Sequence, residues 1–171
     1  MSSLTSAVAA VVSDAAGRVL LCQQSQGHRL WGLPGGKIRL DESPLRAAAR
    51  DIFEETGMKI EMVDLIGLYQ LTGAGLGDDL PDVLVHIFRA RAAGGEATVN
   101  APGRIRRLSW HDPGVLPRPM TATTRAAIAD AVAGRSGVLQ HVRRDVEPEI
   151  PDAADVSESA IPARSGVLAT A

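Results

Sequence analysis

GKIRLDESPLRAAARDIFEETGM, residues Gly36–Met58, decides how this chain is read. Ser43-Pro44 is a helix start, because Ser can cap the first free amides and Pro suits the first helical position. Gly57 suits the residue after the helix, so the stretch predicts a helix from about Pro44 to Thr56. Asp51, Glu54 and Glu55 stand three and four residues apart, which places their carboxylates on one face. Ala47 to Ala49, Ile52 and Phe53 are expected to give that helix an apolar side toward a sheet. Arg50 lies four residues before Glu54 and can orient it, and Glu42 precedes the cap. Crowded acids repel one another and raise one another's pKa unless a cation or a proton is shared among them. A solvated acidic surface helix is the plain alternative. Mg²⁺ is a suitable cation, since it takes carboxylate oxygens and keeps coordination sites for water and phosphate.

Working outward, Thr5–Ser13 reads as a buried strand and Asp14-Ala15-Ala16-Gly17 as a turn. Arg18–Gln24 is then its expected hairpin partner. Leu30–Pro34 is short and extended, ended by Gly35-Gly36. Lys59–Thr72 holds one or two strands, and Val83–Ala92 and Arg104–Trp110 one each. Thr121–Ala133 is a second helix, with Ile128 and Val132 on its apolar face. Strands outnumber helices and separate them, which predicts an α/β fold with helices packed on a mixed β-sheet.

The chain has 171 residues, enough for one domain with a core of its own. A net charge of −2 argues against a general nucleic-acid binder. Cys22 stands alone in the apolar run Val19–Cys22, so no disulfide forms within the chain. The opening MSSLTSAVAAVV has no basic start and no long apolar segment, so neither a secretory leader nor a membrane helix is expected, and the cytoplasm is the default location. Up to Arg144 there are 17 basic and 14 acidic residues; from Asp145 onward Arg164 faces six acids. Residues 1–140 are therefore expected to form the domain. Residues 141–171 read as an acidic, Pro/Ala/Ser-rich tail, either flexible or an arm packed on a neighbouring copy in a homodimer.

Together with the preceding WGLPGGK, the decisive stretch resembles the Nudix box of the Nudix hydrolases, G-x5-E-x7-R-E-U-x-E-E-x-G-U, where U is bulky and apolar. Gly36, Glu42, Arg50, Ile52, Glu54, Glu55, Gly57 and Met58 match, eight positions within 23 residues. The resemblance extends weakly over residues 6–135 and implies an α/β/α sandwich with a mixed sheet between helices. It also implies hydrolysis of the diphosphate linkage in a nucleoside triphosphate or nucleoside diphosphate derivative, with Mg²⁺ or Mn²⁺ and with a nucleotide-type small molecule, not a nucleic acid or a membrane, as partner. By the same resemblance, Glu54, Glu55, Asp51 and the Gly35 carbonyl match metal-binding positions. Asp51 also stands where a water-activating base is found, and Arg50 matches the residue that orients the metal carboxylates. Glu42, Gly36 and Gly57 match structural or auxiliary positions.

Three positions depart from the family. Asp51 replaces the usual Glu and is shorter by about 1.5 Å, one C–C bond. Gln23-Gln24 offers amides where an Arg is common. Residues 100–107 carry Arg104, Arg106 and Arg107 where an acidic outer metal ligand is expected; the nearest acids outside the box are Asp78, Asp79 and Asp82. Lys37 and Arg29 are candidates for the outer phosphates, each otherwise an ordinary loop charge. Tyr69 is a candidate for stacking a base, with core packing as the alternative, and His86 is either near the site or half-buried on its strand. Two other readings stay open at this point: a Nudix-like module that binds a nucleotide without cutting it, and a metal-dependent enzyme acting on another organic diphosphate.

Overall fold

The computed structural model describes residues 4–73 and 81–144. Asp78, Asp79 and the acidic tail from Asp145 lie outside the described residues. Eight strands and two helices follow in the order β1 (Thr5–Ser13), β2 (Val19–Gln24), β3 (Trp31–Gly32), β4 (Gly35–Lys37), α1 (Pro44–Thr56), β5 (Lys59–Thr72), β6 (Val83–Gly94), β7 (Ile105–His111), α2 (Ala122–Val132) and β8 (Val138–Arg143).

All eight strands join one mixed sheet. β1 runs parallel to β6 over Thr5↔Val83 to Ser13↔Arg91. β6 is antiparallel to β5, and β5 is parallel to β8. β2 lies between β3 and β7, antiparallel to both. The expected β1–β2 hairpin is reduced to a single pair, Ser13↔Val19. Over the middle of β1 that edge is taken by β4, with Ala7↔Lys37, Val8↔Gly36 and Ala9↔Gly35 in register. Only glycine allows this approach: Gly35 has φ +151°, and a Cβ on it would fall inside the Val8 carbonyl oxygen and 2.7 Å from Ala9 Cα.

Alternation along β1 builds a core on each face of the sheet. Val8, Ala10 and Val12 pack with Leu20, Phe88 and the Ala47, Ala48 and Ile52 stripe of α1. Ala9 and Val11 pack on the opposite side with Leu21, Ile66, Ile87 and the Ala127 and Ile128 stripe of α2. The result is the α/β/α sandwich, with the sheet between its helices.

Two local expectations, both about helix faces, are corrected. Phe53 is 52% exposed, because one residue turns a helix by about 100° and carries position 53 off the stripe centred on Ile52. Val132, the last residue of α2, is 67% exposed, beyond the sheet-facing run of Thr124, Ala127 and Ile128. β8 continues the sheet to Arg143, so a domain boundary at residue 140 falls within a strand. Cys22 is buried, and burial pushes its thiol pKa up. Among the described residues, no helix is long and apolar enough to cross a membrane.

Candidate active site

α1 begins as its sequence signals: Ser43 Oγ accepts from the Arg46 N–H at 3.3 Å, Pro44 follows, and Gly57 closes the helix at φ +69°, donating to Phe53 O at 2.9 Å. The acids do not share one solvated face. Asp51 and Glu55, one turn apart, lie in the same buried stripe as Ala48 and Ile52. Glu54 stands outside that stripe with its side chain 48% exposed. The acidic side of α1 is therefore split between a buried pair under the β4 loop and one outer carboxylate.

Arg50 connects the two parts. Its guanidinium donates to Glu42 Oε1 at 2.6 Å and Oε2 at 2.8 Å, to Asp51 Oδ1 at 2.6 Å, to Glu54 Oε2 at 3.2 Å and to the Lys37 carbonyl at 3.3 Å. A fork of fixed geometry in contact with three carboxylates sets their relative positions in a way a Lys could not. Glu42 also accepts from the Arg39 N–H at 3.1 Å, and Arg39 reaches Glu54 at 3.1 Å.

The Arg50 fork holds the Glu42 carboxyl at about 2, well below its ordinary 4.5. A folded-state value below the unfolded one adds stability that is fully present above pH 4.5 and is lost as the pH falls toward 2. In Glu42→Gln, part of the acid sensitivity should disappear: the fall in melting temperature between about pH 5 and about pH 3 should be smaller than in the wild type.

Glu55 has the opposite bias. Burial is the main cause that raises its pKa, and the nearby Asp51 charge adds to it, against the Gly35 N–H and Arg104. Its Oε2 accepts from Gly35 N–H at 3.2 Å, and its Oε1 pairs with the Arg104 guanidinium. Asp51 Oδ2 is buried without a hydrogen-bond partner. A Cβ on Gly36 would lie 2.8 Å from that oxygen, so the box glycine is the residue that leaves room for it.

A cleft of about 520 Å³ opens over Asp51, lined by Thr5, Ala7, Gly36, Lys37, Arg39, Arg50, Asp51, Val83 and Arg104. Four cations and one acid suit a polyanion held over an acidic floor. A second hollow of about 430 Å³, walled by residues 113–118 with Met120 and Arg125, has no carboxylate in its wall.

Among the described residues, no group of three or more His, Cys, Asp and Glu side chains could hold a metal ion by itself. The oxygen donors still suit Mg²⁺ or Mn²⁺, because such an ion needs only one or two carboxylates and completes its shell with water and phosphate. The unpartnered buried Asp51 Oδ2, beside a second buried carboxylate, is the observation that fits a cation.

The remaining candidates fall in different places. Lys37 is exposed at the cleft wall. Arg29 is exposed on the turn before β3 at φ +51° and is not among the residues lining the cleft. Tyr69 has no exposed surface; its hydroxyl donates to Asp130 Oδ2 at 2.8 Å, and Arg135 holds Oδ1 at 2.7 Å. Burial raises its pKa further, and a phenol enclosed this way presents no face to a base, so the substrate reading of Tyr69 is replaced by a core one. His86 is half-buried, with Nδ1 3.2 Å from the Ala7 carbonyl. Trp31 is buried, in edge contact with His111 and under the Arg107 guanidinium. Sequence reasoning missed Arg39, whose one available signal was its position inside the box loop.

A carboxylate-bearing helix, a glycine loop and a cationic cleft on an α/β/α sandwich suit the binding of a polyanion. A NUDIX domain model matches residues 3–131. A MutT-like protein of Streptomyces ambofaciens is 31% identical over 136 residues, covering 80% of each chain. An RNA pyrophosphohydrolase of Mesorhizobium japonicum is 30% identical over 128 residues, 63% of this chain and 71% of that one. The crystal structure of a MutT NUDIX hydrolase from Burkholderia pseudomallei superposes with a TM-score of 0.68 at 31% identity, over 75% of this chain and 98% of that one. The chain belongs to the NUDIX family, and its fold is that of a NUDIX hydrolase.

Proposed function

We propose that the chain is a Mg²⁺-dependent pyrophosphohydrolase that cleaves the diphosphate linkage of a nucleoside triphosphate or nucleoside diphosphate derivative by attack of water on phosphorus. The observation that carries this reading is the buried Asp51–Glu55 pair, with Asp51 Oδ2 unpartnered and Asp51 in the wall of a cleft rimmed by cations. Glu54, Glu55 and the Gly35 carbonyl would hold the ion, beside Asp51. Bound there, it would neutralise diphosphate charge and acidify the attacking water.

The chain's own groups supply the rest. Lys37 and Arg39 draw the outer phosphates into the cleft and fix the angle of the P–O–P bridge. Arg50 anchors Asp51 Oδ1, leaving Oδ2 free to take the proton of the attacking water. The water oxygen bonds to phosphorus, the bridging P–O bond breaks, and the leaving phosphate departs with that electron pair. Thr5, Ala7 and Val83 form the less charged part of the cleft, where the rest of the substrate would lie.

The test is a panel of nucleoside triphosphates, nucleotide sugars, ADP-ribose, dinucleoside polyphosphates and 5′-triphosphate RNA, with Mg²⁺ or Mn²⁺, products read by chromatography. Metal-dependent cleavage of at least one compound is expected. Binding of metal and nucleotide with no cleavage of any compound would make the chain a non-hydrolytic binding module. Asp51→Asn should lower turnover by at least about 100-fold, because the amide cannot take the proton. Unchanged turnover would place the base elsewhere.

A further inference from the structure

Arg104 precedes β7, and its side chain, 63% exposed, reaches across to Glu55 on α1. The loop that carries it is tied to the same part of the helix. Asn100 N–H donates to the Glu55 carbonyl at 3.0 Å and Thr98 N–H to the Thr56 carbonyl at 2.9 Å. Arg104 and Ile105 close a turn on the Ala101 carbonyl at 3.0 and 2.9 Å. The backbone that carries the side chain is thus fixed relative to Glu55, while the side chain itself is largely exposed.

Both Glu55 oxygens are occupied, Oε1 by Arg104 and Oε2 by the Gly35 N–H, whereas Asp51 Oδ2 has no partner. Arg104 also lines the cleft with Lys37 and Arg39, where a diphosphate would lie. It stands in the segment where an acidic metal ligand was expected, so a positive charge replaces a negative one beside the cation position.

We propose that Arg104 is a displaceable internal cation: without metal its guanidinium occupies the coordinating side of Glu55, and when metal and substrate arrive together it moves onto the phosphate oxygens. This rests on the reading of Glu55 as a metal ligand. A metal arriving alone must break the Arg104–Glu55 pair and leave the guanidinium uncompensated. A diphosphate gives the freed fork a bidentate acceptor. Metal and diphosphate therefore bind cooperatively, and each raises the affinity for the other by the same factor. The metal is held tightly only when something is present to be cut.

The test is Mn²⁺ binding, read from the electron paramagnetic resonance signal of the free ion, without and with imidodiphosphate, a non-nucleotide diphosphate mimic. Arg104→Gln should bind Mn²⁺ alone about tenfold more tightly than the wild type, and imidodiphosphate should raise that affinity by a smaller factor than in the wild type, because only direct metal–phosphate coordination then couples the two. Arg104→Lys should keep part of the coupling. Thermal melts of each variant establish that the fold is retained. A merely structural role would give the opposite sign, weaker Mn²⁺ binding as Glu55 loosens. Equal Mn²⁺ affinity in wild type and Arg104→Gln, or equal enhancement by imidodiphosphate, overturns the inference and leaves the hydrolase reading standing. No Mn²⁺ binding by either protein overturns both.

Discussion

Glu55→Gln is expected to lower kcat by between about 10² and 10⁴-fold without lowering the stability of the metal-free protein. The two halves of that result have one cause. Glu55 is a buried carboxylate whose pKa is raised first by burial and then by the Asp51 charge. A folded-state pKa above the unfolded one means that ionised Glu55 costs stability, most at neutral pH and above, and that the cost vanishes below its ordinary value of 4.5. The neutral amide of Gln removes that cost. It can keep the Gly35 N–H as a donor to its oxygen, and the Arg104 it releases is already largely in solvent. The melting temperature of the metal-free variant at neutral pH should therefore match or exceed that of the wild type. A group kept where it is costly and lost without harm to the fold is a group kept for chemistry. A variant that melts well below the wild type would instead make Glu55 a structural residue.

The second large effect is expected at Gly35. Gly35→Ala sets a methyl group against the Val8 carbonyl and Ala9 Cα, both backbone atoms of the central strand β1, at a φ of +151° that a side chain rarely adopts. Neither partner can yield without disturbing the β1–β6 ladder. β4 must then separate from β1, and the N–H that orients Glu55 Oε2 moves with it. A loss of about 3 kcal/mol or more is expected, which for a chain of this size lowers the melting temperature by roughly 6–12 °C. Turnover should fall together with stability, in contrast to Glu55→Gln. A melting temperature within about 2 °C of the wild type would show that the loop relaxes and that the close approach is dispensable.

How much of this was legible in the sequence depended on the range of the forces involved. α1 was placed residue for residue, because its Ser43 cap, Pro44 start and Gly57 stop are local chemistry. The long strands were legible from apolar runs. β4 was not, since Gly35-Gly36-Lys37 has no strand propensity and is extended only because β1 lies beside it. β8 was missed altogether because Val138–Arg143 is short and half polar and is stabilised by pairing with β5. At the site, the spacing located the acids but not their separation. That Asp51 and Glu55 go under the loop while Glu54 stays out follows from where β4 crosses the helix. Tyr69 was ambiguous because one strand residue can serve core or ligand, and only the position of Asp130 on α2 decides between them. Arg104 showed in the sequence only as an absent acid; its contact with Glu55 depends on the loop at 96–104 docking on the end of α1.

The most direct test of the central claim, that Asp51 and Glu55 organise water attack on a diphosphate, is turnover of a cleaved nucleotide with Mg²⁺ in ¹⁸O-labelled water, wild type beside Glu55→Gln. One ¹⁸O should appear in one phosphorus product per bond cleaved, at a rate that falls by at least about 100-fold in the variant and to background when the metal is chelated. Label incorporation at the wild-type rate in Glu55→Gln, or cleavage that persists without metal, would contradict it.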